Sequence, residues 1–211
     1  MLFIDSISKS FNERPVLQDV SFQIGKAEIK ILRGKNGSGK TTLLKIIASL
    51  MSYNSGTIFF EDKERNKGQD YLKKNIFYIG NSPGMYKFLT PLQNIELGLS
   101  LRQKEIDSNI ILNTLDRFGL SDSIYQPINT FSNGMLQRLK FAYAFIANWK
   151  IILLDEPFNG LDESGLILVK NCIDTWLERK KSILMVTHKS EIINSNSKNI
   201  LLLDNGKVKA L

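Results

Sequence analysis

The chain has 211 residues and a mass of 24.0 kDa, the size of one domain that buries a core without disulfides or a structural metal. Its single cysteine, Cys172, excludes an internal disulfide and fits a reducing compartment, and its place in a helical pattern reads as a small buried hydrophobe. No apolar run reaches the ~18 residues of a spanning helix and Met1-Leu2-Phe3-Ile4-Asp5 is no signal peptide, so a soluble protein is expected, whose formal charge of +7 is scattered rather than gathered in a basic block.

Residues 2–5 and 19–24 alternate like half-buried antiparallel strands, with Phe11 to Pro15 as the turn between them. Ile29 to Leu32 is an apolar strand. It leads into Gly34-Lys35-Asn36-Gly37-Ser38-Gly39-Lys40-Thr41-Thr42, and a helical pattern from Leu43 follows. This fits the phosphate-loop pattern G-x-x-x-x-G-K-[ST] in its required strand–loop–helix setting. Glycines let successive backbone N–H groups converge on an anion, and the helix adds its positive end. Asn36, Gly37, Ser38, Gly39, Lys40, Thr41 and Thr42 are therefore candidate triphosphate contacts. Lys40 is expected on the β- and γ-phosphates and the Thr41 hydroxyl on Mg2+.

Ser52 to Gly56 reads as a turn and Thr57 to Phe60 as a β-rich run. The charged stretch 61–74 reads as a solvated loop with a short helix, and Asn75 to Gly80 as a buried strand. Character then changes. Pro91 opens a helix, Ile106 to Phe118 keep helical spacing, and Ser132 caps a long helix with Leu136, Leu139, Phe141, Ala142, Phe145 and Ile146 on its apolar face. A strand apolar on both faces, Ile151 to Leu154, returns the α/β pattern. A helix from Asp162 to about Arg179 follows, then a strand from Ser182 to Thr187. A hairpin is expected at Asp204-Asn205-Gly206.

Two further stretches carry chemistry. Asp155 and Glu156 end a buried strand, at the sheet edge where open α/β folds bind ligands. Asp155 is placed to hold Mg2+ and Glu156 to act as general base, the rival reading being a pair that caps the next helix. Phe131-Ser132-Asn133-Gly134-Met135 presents a hydroxyl and bare backbone at a helix start, which is either an ordinary cap or an anion site lacking its own lysine.

Phosphate loop, Ser132-x-Gly134 stretch, Asp155-Glu156 pair, Gly160-Leu161-Asp162 and Thr187-His188 occur in an order that resembles the ATP-binding subunits of ABC transporters over the whole chain. The resemblance implies one nucleotide-binding domain spanning 1–211. Its P-loop core has a mostly parallel sheet, with an antiparallel β subdomain near the N-terminus and a helical subdomain inserted at roughly 84–148. It implies a head-to-tail homodimer in which two ATP molecules lie between the loop of one copy and Ser132 and Gly134 of the other. It gives Asp162 a place at the dimer interface and makes His188 the residue that contacts the γ-phosphate and steadies the catalytic carboxylate, against a plain structural histidine. Phe11 stands where an aromatic stacks on adenine, its rival role being a core phenylalanine. A separate membrane-spanning permease would dock beside residues 81–98, holding the chain on the cytoplasmic face of the membrane with no direct lipid contact. No nucleic acid partner is expected.

The chain departs from the family pattern in places. Asn81 replaces the usual Gln, one methylene longer, that reaches Mg2+ or the attacking water. Phe131, Asn133 and Met135 replace Leu, Gly and Gln. Gly80 to Gly84 followed by Leu89-Thr90 is similar to the haem-exporter ATPase of cytochrome c maturation, a likeness shared with general exporter subunits. The other function class left open is an ABC ATPase without a permease, acting on nucleic acid or as a regulator.

Overall fold

The computed structural model describes residues 1–60, 69–82, 84–188 and 199–211. Most of the charged stretch expected as a loop, 61–68, and Pro83 lie outside the described residues. The chain divides into two compact units, Met1–Tyr78 with Trp149–Glu156 and Thr175–Leu211, and Ile79–Asn148 with Pro157–Asp174.

Two sheets build the first unit. β1 (Leu2–Phe11) lies between β2 (Arg14–Ile24) and β4 (Ser55–Phe60) in an antiparallel sheet. The strands run further than the sequence pattern suggested. Only Asn12 and Glu13 form the turn, with φ of 46° and 64°, the left-handed pair that a two-residue hairpin needs. Register shifts between Ile4 and Ile7, and again up to Ser10, reset the side-chain alternation and hid these strands. Pro15 falls within β2, where an edge strand tolerates the missing donor. Ser55 and Gly56 also belong to β4 rather than to the turn before it, and a Cβ on Gly56 would lie 2.5 Å from the Ser6 carbonyl.

The second sheet places β5 (Ile76–Ile79), β6 (Ile151–Asp155), β7 (Ser182–Val186), β3 (Ile29–Arg33), β8 (Asn199–Asp204) and β9 (Lys207–Ala210) in that spatial order. The pairings β6–β7, β7–β3 and β3–β8 are parallel, and the β8–β9 hairpin is antiparallel. All five residues of β6 and of β7 are buried, as interior strands covered on both faces require. Register aligns Asp155 with Val186, and Val186 with Leu32. The three segments that carry the sequence motifs therefore leave the same edge side by side. Beneath them, α1 (Lys40–Ile47) buries Leu43, Leu44, Ile46 and Ile47 in the core with Leu32, Leu153 and Leu184.

The second unit is helical. α3 (Pro91–Leu101) starts with a capping box between Thr90 and Gln93, α4 (Ser108–Arg117) is capped by Asp107, and α5 (Asn133–Ile146) by Ser132. α6 (Glu163–Glu178) starts after Asp162, and a short helix, α2 (Gln69–Asn75), precedes β5 in the first unit. Ile95, Leu99, Ile111, Leu115, Phe118, Leu139 and Phe141 are buried. Cys172 is buried as expected, and burial pushes its thiol up to about 12, so it packs rather than reacts.

Candidate active site

Gly34 leaves β3 at a place where no side chain fits, because a Cβ there would lie 2.4 Å from the Leu203 carbonyl oxygen. The loop ends on Gly39, at φ 102°, and α1 begins at Lys40 with no acidic residue in its first turn. The loop closes around its own lysine. Lys40 Nζ donates to the carbonyls of Gly34 at 2.8 Å and Lys35 at 2.9 Å. Asn36 and Gly37 are exposed at the tip and Thr42 is half-buried. Ser38 Oγ is buried with no hydrogen-bond partner among the described residues, an orphan that would cost about 1–3 kcal/mol if it stayed unmet. A cation, an unmet hydroxyl and a helix N-terminus on one loop fit the phosphates of a nucleotide.

Asp155, 3% exposed, ends β6. Thr41 Oγ1 donates to its Oδ2 at 2.7 Å, and the Tyr78 hydroxyl donates to the same oxygen at 3.3 Å. Burial, then the Asp155 charge, raises the Tyr78 phenol, which keeps it a donor. Among the described residues no three His, Cys, Asp or Glu side chains are grouped to hold a metal. One carboxylate and one hydroxyl, both hard oxygen donors, suit Mg2+, which takes its remaining ligands from phosphates and water.

Glu156 adopts φ 51°, a left-handed conformation rare for this residue type, and its N–H donates to the Val186 carbonyl at 2.9 Å. His188 Nε2 lies 3.4 Å from Glu156 Oε1. Leu32, Gly34, Lys40, Val186 and His188 line a cavity of about 300 Å3 between the loop and the end of β7. The first unit thus brings together Lys40, Thr41, Asp155, Glu156 and His188. Phe11 ends β1 and is 43% exposed, with Lys9 Nζ 5.0 Å from its ring centre, so it is no core residue.

In the second unit, Ser132 is exposed and its Oγ accepts the Met135 N–H at 3.2 Å. A Cβ on Gly134 would lie 3.0 Å from the Gly160 carbonyl oxygen. The Asp162 carboxylate is engaged within its own chain. It accepts from the Gly165 N–H at 2.9 Å, capping α6, and pairs with Arg138 at 2.8 Å. The Gly165 N–H first, then Arg138 and Ser164, hold it down at about 2. Asn81 is exposed at a bend after Gly80.

Three polar residues escaped the sequence reading. Tyr78 sits within an apolar strand. Gln137 and Lys140 interrupt the buried face of α5, and their amide and ammonium donate to the carbonyls of Pro157 at 3.0 Å and Gly80 at 2.7 Å. A polar residue at a core position of a helix is the signal that points to them.

Residues 17–159 match the ABC transporter family. The lantibiotic transport ATP-binding protein SrtF of Streptococcus pyogenes is 32% identical over 89% of this chain and 80% of its own length. The cytochrome c biogenesis ATP-binding export protein CcmA of Vibrio cholerae is 26% identical over 89% of this chain and 91% of its own, so the haem-exporter likeness is one among several exporter types. A dimeric structure of the ATP-binding cassette MJ0796, in a post-hydrolysis state bound to ADP and Pi, superposes with a TM-score of 0.85 at 26% identity, covering 99% of this chain and 97% of that one. A phosphate loop, a strand-end carboxylate bonded to its threonine, and a family match over most of the chain lead to one conclusion: the chain belongs to the ABC transporter family, as an ATP-binding subunit with the ATPase fold of that family.

Proposed function

We propose that this chain is a Mg2+-dependent ATPase that works as a head-to-tail homodimer and powers a separate membrane-spanning permease. The observation that carries the reading is the Glu156–His188 pair at 3.4 Å, set beside the phosphate loop by the register of β6, β7 and β3. Lys40 and the amides of residues 36–42 bind the β- and γ-phosphates, with Ser38 Oγ supplying a further contact. Phe11 stacks on the adenine. Thr41, Asp155 and, from the loop after β5, Asn81 would hold Mg2+, which would supply positive charge against the negative charge that develops on the phosphates. Glu156 orients the attacking water and takes its proton. His188 fixes Oε1, which leaves Oε2 as the basic atom, and also contacts the γ-phosphate. A left-handed glutamate costs about 1–3 kcal/mol and persists where its neighbours hold it, here through the Val186 carbonyl.

Ser132 and Gly134 contact the nucleotide of the second copy, and Asp162 lies at that interface. One nucleotide-binding domain with a helical subdomain inserted at about 84–148 is the organisation we assign. Among the described residues no helix is long and apolar enough to cross a membrane. Transport would use a partner that spans, docked beside 81–98, with the chain on the cytoplasmic face and lipid reached only through that partner. The test is affinity purification of the chain from detergent-solubilised membranes. A multi-spanning protein should co-purify and stimulate the ATPase. Recovery without such a partner, with activity stimulated by DNA or RNA, would overturn the transport reading.

A further inference from the structure

Lys140 lies on the inner face of α5 and is only 7% exposed. Its Nζ donates to the Gly80 carbonyl at 2.7 Å, its one hydrogen-bond partner among the described residues. No carboxylate among the described residues pairs with it, so the fold accepts the desolvation of an ammonium for a single main-chain bond among them. That bond joins two places. Gly80 immediately precedes Asn81, and Ser132 caps α5 about 12 Å along the axis from Lys140 at 1.5 Å per residue. A turn away, Gln137 donates to Pro157, so one face of α5 holds two separate segments by their carbonyls.

We propose that Lys140 is a positioning residue that fixes Asn81 to the helix carrying Ser132. Displacement of Ser132 by the partner copy's nucleotide then carries to Asn81 through that helix. A rigid helix bonded to a strand end transmits displacement, whereas a free loop absorbs it. The bond also bears on the missing methylene of Asn81. A short amide reaches its target only from a fixed backbone, and Lys140 fixes the residue before it. The inference rests on the proposed dimer and on the proposed contact of Asn81 with Mg2+ or the attacking water.

The test uses the purified full chain with Mg2+ and ATP. Lys140→Met keeps the stem and removes the donor. Amide exchange at 79–82 should quicken, kcat should fall about tenfold, and KM for ATP should stay within about twofold. In an Asn81→Ala background the same change should lower kcat by less than about twofold, because the group it positions is gone. Gln137→Met, which releases only Pro157, should leave exchange at 79–82 unchanged and so separates this pin from general loosening of α5. Unchanged exchange at 79–82 in Lys140→Met, or an undiminished kcat loss in the Asn81→Ala background, overturns the inference. Should Asn81→Ala alone keep wild-type kcat, the reading of Asn81 fails by itself, and exchange still decides whether Lys140 holds the segment. Where Lys140→Met does not fold, Lys140→Gln, too short to keep the bond, is read in the same way.

Discussion

Thr41 Oγ1 donates to Asp155 Oδ2 over 2.7 Å, joining the first turn of α1 to the end of β6 across 114 residues of chain. The bond holds a hydroxyl and a carboxylate where a divalent cation would find both. Asp155→Asn keeps the shape and removes the charge. Binding of ATP with Mg2+ should weaken by about tenfold or more, since a charge-assisted contact is worth about 1.5–3 kcal/mol. Binding of ATP without Mg2+ should not weaken, because the lost carboxylate repels phosphate. Fluorescent-nucleotide titrations with and without Mg2+ distinguish the two signs, and equal loss in both would count against Asp155 as a metal ligand.

Glu156 combines a left-handed backbone with a histidine at 3.4 Å. Glu156→Gln should bind ATP and Mg2+ but hydrolyse it at least tenfold more slowly, general-base catalysis being worth about 10²–10⁴ in rate. The trapped nucleotide should hold the chain as a dimer, visible by light scattering. Wild-type turnover in this variant would remove Glu156 from the role of base. Glu156→Gly should be equally inactive without loss of melting temperature, because glycine adopts φ 51° without strain and that gain offsets its greater freedom in the unfolded chain.

Much of this site is legible in the sequence because its contacts are local in one dimension. A loop of fixed spacing between strand and helix specifies its own geometry, and an acidic pair after four apolar residues places itself at a sheet edge. The register that brings Asp155, Val186 and Leu32 into line is set by parallel pairing of buried strands and is not written at any one position. Bonds to main-chain carbonyls are invisible for another reason. Lys140 and Gln137 recognise Gly80 and Pro157 by backbone alone, so no partner side chain betrays them. Tyr78 meets Asp155 from 77 residues away. β1 and β2 were foreshortened because bulges break the alternation by which strands are recognised.

The buried ammonium also gives stability a pH dependence. Desolvation lowers Lys140 from 10.5 to about 8 in the folded chain. Between those values the unfolded chain holds a proton that the folded chain has released, so this group stabilises the fold progressively as pH rises from about 8 to about 10.5. Below about pH 8 both states carry the charge, and the fold bears its desolvation in full. Denaturant unfolding of wild type and Lys140→Met should therefore show the difference moving in favour of wild type across that interval. A difference that stays flat would mean the ammonium is better solvated than its burial implies.

Asn81→Gln bears on whether the short amide is a defect or an adaptation. Asn81 stands exposed at a bend after Gly80, and the segment before it is held by Lys140. If the backbone is fixed, a side chain longer by one methylene extends reach without moving the loop. Hydrolysis should then be equal to or faster than wild type, with KM for ATP nearly unchanged, as steady-state kinetics will measure. A large fall in kcat would show that the amide already meets its target at the shorter length, and that the longer one overshoots from a backbone that cannot retreat.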